Sequence, residues 1–231
     1  MLDENLLKSQ ATWDFIAQSF DSTRRKPWKQ CIDFLNNLKE TDIILDLGCG
    51  NGRHLIQCTE HFKHVIGLDI SRGLLNIAKN KLKENKINNT IFLHADSAHI
   101  PLKDETIDAI IYIASLHNVK GRENRVQSLK EIKRILKNEG SALISVWSKW
   151  QDKYRKQFFK KWLTKTWKDE FGDIEIYWRQ HGLDIPRFYH LYSKKEFRED
   201  LQKAGLEIKN IQEVKLVSKK YPDNFFALVK K

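Results

Sequence analysis

At 231 residues the chain can hold one α/β domain with a full core plus an insertion, and nothing demands two independent domains. No run of eighteen apolar residues and no charged-then-apolar N-terminal signal is present, so a soluble, cytoplasmic protein is expected. A formal net charge of +11 fits either a polyanionic partner or a generally basic solvated surface, and the three cysteines (Cys31, Cys49, Cys58), odd in number and without C-x-x-C spacing, argue against a disulfide framework and an internal zinc site.

Trp13, Ile16, Ala17 and Phe20 recur at helical spacing and predict a short amphipathic helix from Ser9 to Phe20. Residues 21–28 form a loop in which Pro27 suits the first turn of a second helix, from about Trp28 to Leu38, with Cys31, Ile32, Leu35 and Leu38 inward. Both helices precede the first strand and would cover a ligand site as a lid. The Arg24-Arg25 doublet beside Trp28 is either a functional pair or a solvated basic loop.

Ile43 to Leu47 is apolar except for Asp46, as a strand buried on both faces should be. Gly48, Gly50 and Gly52 then turn the chain into a helix from about Arg53 to His61, and their missing Cβ atoms allow the backbone close to a ligand. The next strand, His64 to Asp69, ends in an acid about twenty residues after the first glycines, the spacing of a ribose-binding carboxylate. The D-x-G-x-G-x-G pattern differs from the dinucleotide G-x-G-x-x-G: an acid leads it and no basic residue lies within it. It suits a ligand with a cationic amino-acid end and a ribose, and suits a pyrophosphate poorly.

Ser71 is placed to cap a helix to about Glu84, with Leu74, Leu75, Ala78 and Leu82 on its buried side. After an Asn88-Asn89 turn, Thr90 to His94 is a short third strand, and Asp96-Ser97 falls at its C-terminal end, where open α/β sheets bind ligands. Pro101 to Thr106 leads to strand four, Ile107 to Ile113, which runs into Ala114-Ser115-Leu116-His117-Asn118. A helix over about Arg122 to Lys137 is closed by Asn138-Glu139-Gly140 as a C-cap turn, before strand five at Ser141 to Trp147. The alternation β-α-β-α-β-α-β-α-β indicates a parallel, doubly wound sheet.

Between 148 and 192 the composition shifts: Lys149, Lys153, Arg155, Lys156, Lys160, Lys161, Lys165 and Lys168 interleave with aromatics. Trp150, Tyr154, Phe158 and Trp162 share helical spacing, which fits either a core-packing face or part of a binding surface, with the lysines available to position phosphates. Ser193 caps a helix to about Ala204, and the segments from Leu206 to about Val217 and from Asn224 to Val229 form a reversed edge hairpin.

The glycine turn resembles the first motif of the class I S-adenosylmethionine-dependent methyltransferases. The resemblance implies a Rossmann-like, seven-stranded, mostly parallel sheet and S-adenosyl-L-methionine as cofactor. Its implied binding set is Asp46, Gly48, Cys49, Gly50, Gly52, Asp69, Ile70, Asp96 and Ser97, with Asp46 near the methionine amino group, Asp69 on the ribose and Asp96 near the adenine amine. Methyltransferases of exocyclic amines carry N/D-P-P-Y/F after strand four, unlike Ser115-Leu116-His117-Asn118, and every cysteine lies at or before Cys58. Base N-methylation and thiol-dependent pyrimidine methylation therefore lose weight against an oxygen acceptor. A carboxylate acceptor is already ionised and needs cations rather than a base.

Thr23-Arg24 through Lys26-Pro27-Trp28, Leu116-His117, and Arg187-Phe188-Tyr189-His190-Leu191-Tyr192 together look like the tRNA wobble-uridine carboxymethyl methyltransferases, over nearly the whole chain. That family commonly has His-His where this chain has His117-Asn118. The resemblance implies methyl esterification of a 5-carboxymethyl-type uridine in the anticodon loop, with Arg24, His117, Arg187, Tyr189 and His190 lining the acceptor pocket and no resident metal. It implies a single domain over 1–231, with lid helices in 1–40 and an acceptor-binding insert in 148–192. It also implies a small zinc-binding activator protein pairing with the edge strand at Thr90 to His94, whose apolar Ile91, Phe92 and Leu93 would otherwise be a liability. A small-molecule O- or N-methyltransferase and a non-catalytic RNA-binding protein are the competing readings.

Overall fold

The computed structural model describes residues 4–38, 43–165, 167 and 169–231; Lys168 of the basic set lies outside them. Helix α1 (Glu4–Thr23) is longer than its apolar stripe, starting a turn and a half before Ser9, with Glu4 placed favourably in the first turn. Helix α2 (Lys29–Asn36) follows. Strand β1 (Ile43–Leu47), α3 (Leu55–His61), β2 (His64–Asp69), α4 (Arg72–Glu84), β3 (Thr90–His94) and β4 (Ile107–Ile113) build the first half of a sheet. The crossover from β3 to β4 carries no helix among the described residues, unlike the regular alternation expected.

A single 3-10 turn at Leu116–Asn118 leads to α5 (Arg122–Ile135) and β5 (Leu136–Trp147). Here the expected C-cap turn at 138–140 is corrected. The helix stops at Ile135 and the strand begins at once, because Leu136 pairs with Ile107 before a register shift. Gly140 is not in the left-handed region; it is where two backbones meet, since a Cβ there would lie 2.9 Å from the Lys137 carbonyl oxygen and 3.1 Å from that of Asp108.

The 148–192 region resolves into α6 (Arg155–Thr164) and an antiparallel pair, β6 (Asp173–Trp178) and β7 (Ile185–His190), which the aromatic periodicity does not reveal. Only part of the aromatic stripe packs inward. Tyr154 and Phe158 join Ile174, Ile176, Tyr189 and Leu191 in a small core, while Trp150 and Trp162 are 41% and 58% exposed. Helix α7 (Lys194–Lys203) has the Ser193 capping box, and β8 (Glu207–Val214) with β9 (Asn224–Lys230) form the hairpin.

The main sheet runs β3-β2-β1-β4-β5-β9-β8. The pairs joining β3, β2, β1, β4 and β5 are parallel, and β9 lies antiparallel to both β5 and β8. Each face has its own apolar layer, one around Leu45, Ile110, Ile132 and Phe197, the other around Ile44, Cys58, Ile111 and Phe226. Helix α1 is fixed over the C-terminal end of the sheet: Asp14 Oδ1 accepts hydrogen bonds from the Ser71 hydroxyl at 2.6 Å and the Gly73 N–H at 2.8 Å. Beside this anchor, Ala17 packs with Leu74 and Ile77. The lid is therefore tied to the N-terminus of α4, not merely laid over it. No described helix is long and apolar enough to cross a membrane.

Candidate active site

A cavity of 530 Å³ opens at the C-terminal ends of β1, β2 and β4, roofed by α1 and closed on one side by β7. Its floor is the glycine turn. A Cβ on Gly48 (φ +68°) would sit 2.1 Å from Ser115 Oγ, so this glycine lets the turn after β4 close onto the turn after β1. A Cβ on Gly50 (φ +54°) would meet nothing nearer than a Phe20 ring carbon at 3.9 Å, leaving backbone bare to the cavity. Asp69 ends β2 beside it. Its Oδ2 accepts the Gly50 N–H and its Oδ1 the Ser71 N–H, both at 2.8 Å. Burial raises the Asp69 pKa to about 6, against the pull of those two backbone donors.

Asp96, Ser97 and Ile70 line the same cavity with Cys49. Asp46 does not: it lies buried within β1, its pKa raised by burial, and its Oδ2 has no hydrogen-bond partner among the described residues. Gly52 packs against Ala78, also outside the cavity wall. The arrangement fits S-adenosylmethionine. An unmatched buried acid stands behind a bare glycine backbone, with two cavity-lining carboxylates beyond it.

The opposite wall is mostly cationic and aromatic, with Glu175 of β6 the one acid on it among the described residues. Arg187, in β7, is almost fully buried, with its guanidinium 4.9 Å from the Trp178 ring, 5.0 Å from Tyr189 and 5.4 Å from Trp13. Its Nη1 donates to the Tyr189 hydroxyl at 2.6 Å, but its Nε has no partner, and burial lowers its pKa. Arg24 lies against the same Trp178 ring at 5.6 Å and against Phe20 at 5.9 Å. Neither arginine has a carboxylate within ion-pair distance among the described residues. A buried cation left this way is costly, and an incoming anion removes the cost.

His117 completes this side. Its ring stacks with Tyr189 (5.3 Å, 25°) and packs beside Trp147 (5.3 Å, 37°). Burial, then the charges of His190 and Arg187, lower its pKa to about 3, so the ring is neutral at physiological pH. Nδ1 accepts the Trp147 N–H at 3.2 Å, which places the single ring proton on Nε2, and Nε2 has no partner. The site thus offers one neutral N–H donor beside two unpaired guanidiniums.

Arg24, His117, Arg187 and Tyr189 all line the cavity, although they come from three distant segments. His190 does not. It is wholly buried, with Nδ1 2.7 Å from Asp173 and Nε2 2.9 Å from Glu196, tying β7 to β6 and to the start of α7. Trp178 and Trp13, which enclose the arginines, are not marked as site residues by the sequence. Trp13 carries the signal of a helix-core residue, and Trp178 closes the alternating stretch Asp173-Ile174-Glu175-Ile176-Tyr177-Trp178, which reads as a half-buried strand rather than a site.

The methyltransferase domain family matches residues 45–144. The tRNA (carboxymethyluridine(34)-5-O)-methyltransferase ALKBH8 of Mus musculus is 34% identical over 62% of this chain and 20% of that protein, so the chain spans about a fifth of this relative's length. The tRNA (carboxymethyluridine(34)-5-O)-methyltransferase of Schizosaccharomyces pombe is 28% identical over 84% of this chain and 86% of that protein. In fold, the chain matches the putative methyltransferase of Haloferax volcanii crystallised in complex with the Trm112 methyltransferase activator, with a TM-score of 0.65, 17% identity and 96% of each chain covered. Residues 45–144 thus match a methyltransferase domain, and the chain is similar in sequence to the tRNA (carboxymethyluridine(34)-5-O)-methyltransferases.

Proposed function

We propose that the protein is a tRNA methyltransferase that esterifies the carboxylate of a 5-carboxymethyl-type wobble uridine, acting in the cytoplasm. The observation that carries this reading is the pair of unpaired guanidiniums, Arg24 and Arg187, in the same cavity as Gly50 and Asp69. A site for a neutral hydroxyl or amine acceptor would not need a buried guanidinium with a second, half-buried one beside it; a carboxylate does. S-adenosylmethionine, when bound, supplies an electrophilic methyl group on a sulfonium.

The chain's own residues do the rest by positioning. Asp69, held by two backbone donors, presents acceptor oxygens to the ribose hydroxyls, and Asp96 and Ser97 take the adenine end, while Asp46 stays buried behind the glycine turn, outside the cavity. Arg187 and Arg24 clamp the acceptor carboxylate, His117 Nε2–H donates to it, and Trp13, Trp147 and Tyr189 exclude water. No general base is needed, because a carboxylate is already ionised at neutral pH. Lys156 and Lys160 of α6 hold phosphates, while Lys161 is taken by the Asp173 and Phe171 carbonyl oxygens. A small zinc-binding activator covers the exposed edge of β3, in line with the activator complex of the fold relative from Haloferax.

Incubation with labelled donor and bulk tRNA, with and without a candidate activator, followed by nucleoside identification, tests the reading. Label in a methyl ester that mild alkali releases supports it. Label only in a small metabolite, with no tRNA product, rejects it.

A further inference from the structure

A second, smaller pocket of 400 Å³ adjoins the cavity and shares Arg24, Trp28 and Arg53 with it; its remaining wall is the loop at 22–27, including Arg25 and Lys26. Four cations face this space and no acid lines it. None of Arg24, Arg25, Lys26 and Arg53 has an ion-pair partner among the described residues. The nearest acid in sequence, Asp21, is already engaged by Lys81 and by Asn51 Nδ2.

The loop is built rather than loose. Fully buried Asn51, inside the glycine turn, also donates to the Arg24 carbonyl oxygen at 2.8 Å. The Trp28 N–H donates to His54 Nε2 at 3.4 Å, the Trp28 ring packs against Phe226 at 5.8 Å, and the Arg53 guanidinium lies 4.8 Å above that ring. A fixed ring of like charges repels itself until an anion arrives, and guanidiniums on a rigid frame match the oxygens of a phosphate.

We propose that this pocket, walled by Arg25, Lys26 and Arg53, is a phosphodiester site that grips the RNA backbone next to the nucleotide whose base enters the cavity. The proposal rests on the RNA reading above. A nucleotide reaching the cavity must bring its flanking phosphates to the mouth, which is where this pocket opens through the shared Arg24, Trp28 and Arg53. A donor carboxylate would neutralise one of the four charges, whereas an RNA strand carries a phosphate at every nucleotide and neutralises several.

The test uses the full chain with Arg25→Gln and Lys26→Gln together, two exposed residues outside the donor cavity, and a separate Arg53→Gln variant. Binding of an anticodon stem-loop RNA is measured across a salt series, with the RNA unmodified or carrying an uncharged methylphosphonate on the 5′ or 3′ side of the target uridine. The double variant is expected to bind the unmodified RNA about tenfold more weakly and with a salt slope shallower by about 0.7 for each phosphate it no longer neutralises. One of the two methylphosphonates should weaken the wild-type protein to a similar extent and have no further effect on the double variant. Undiminished RNA binding by both variants overturns the proposal, and so do variant and methylphosphonate effects that simply add. Loss of donor affinity with RNA affinity intact assigns the cations to the donor and also overturns it. Wild-type protein that binds no RNA at any salt sinks the RNA reading itself, an outcome distinct from the others.

Discussion

Arg187 is the residue on which the acceptor reading turns. Its neighbours are aromatic faces and one hydroxyl, so no described carboxylate pairs with it. Arg187→Ala should lower kcat/KM with tRNA by about a hundredfold or more, the usual cost of removing a preorganised charged donor, while donor affinity measured by calorimetry stays at the wild-type value. Collapse of donor affinity would move Arg187 to the donor side. The pH behaviour separates the two halves of the site. His117, with its pKa near 3, stays neutral throughout the working range and gives no inflection in a pH–rate profile between pH 5 and 8. Asp69, at about 6, does titrate there. Protonation removes acceptor capacity from the carboxylate proposed to hold the ribose, so donor affinity should fall as pH drops through about 6, and Asp69→Asn should bind donor weakly with no such dependence. The same shift has an opposite sign for folding. Between the ordinary value of 3.8 and about 6 the folded chain holds a proton that the unfolded chain has released, so this group's contribution to stability declines as pH rises through that window. A donor affinity that is flat from pH 5 to 8 would show that Asp69 does not hold the ribose.

The β6–β7 pair places Arg187 and Tyr189, and it is held to the sheet by an apolar cluster packed against Trp147 and by a set of charged contacts. His190 bridges Asp173 and Glu196, and Lys149 Nζ reaches Glu196 Oε2 at 2.8 Å. Burial tends to raise the Glu196 pKa, but the His190 bond and the Lys149 charge outweigh it and hold the value at about 2. The stabilisation this gives is present above pH 4.5 and is lost as pH falls from there through about 2. Removing the imidazole takes one partner from each of two half-buried carboxylates, Glu196 keeping Lys149, so His190→Ala should cost about 2 kcal/mol, read as a thermal midpoint lowered by about 4–8 °C. Donor binding should survive, because no donor-side residue depends on β7. A midpoint within a degree of wild type would reduce the bridge to a surface pairing. The same strand shows what the sequence does and does not disclose. Successive strand residues point to opposite faces, so Arg187 and Tyr189 share one face and His190 the other. Alternation alone does not separate His190 from the cavity residues, because Pro186 and Phe188, on its face, line the cavity too; His190 is set apart by its position at the end of the strand, bonded to Asp173 and Glu196. The aromatic periodicity of 150–162 draws the region toward a helix instead, and the polar–apolar alternation from Asp173 to Ile176 is short beside it.

Over the whole molecule, the donor half is legible because it is local: one strand, one glycine turn and one downstream acid fix it within 43–69. The acceptor half is legible only as separate motifs. Arg24, His117 and Arg187 meet through the sheet order and the anchoring of α1 on α4, and Trp178 joins them through a strand with no motif. The sheet order also leaves one feature unspent. β3 ends the sheet, and its edge residue Ile91 is 63% exposed beside Phe92 and Leu93. An edge strand offers unpaired N–H and C=O groups to another chain, and natural proteins discourage such pairing with lysine or other charges at the edge. Here the exposed position is apolar, so the edge invites an added strand while leaving the donor cavity untouched. Ile91→Lys should therefore weaken a complex with the activator at least about tenfold, measured by co-purification and by light scattering of the mixed proteins. Without activator, the variant should bind donor normally and stay in solution better than the wild type, since its edge no longer templates self-association. An activator complex that survives Ile91→Lys undiminished would place the partner elsewhere and leave the apolar edge to some other neighbour.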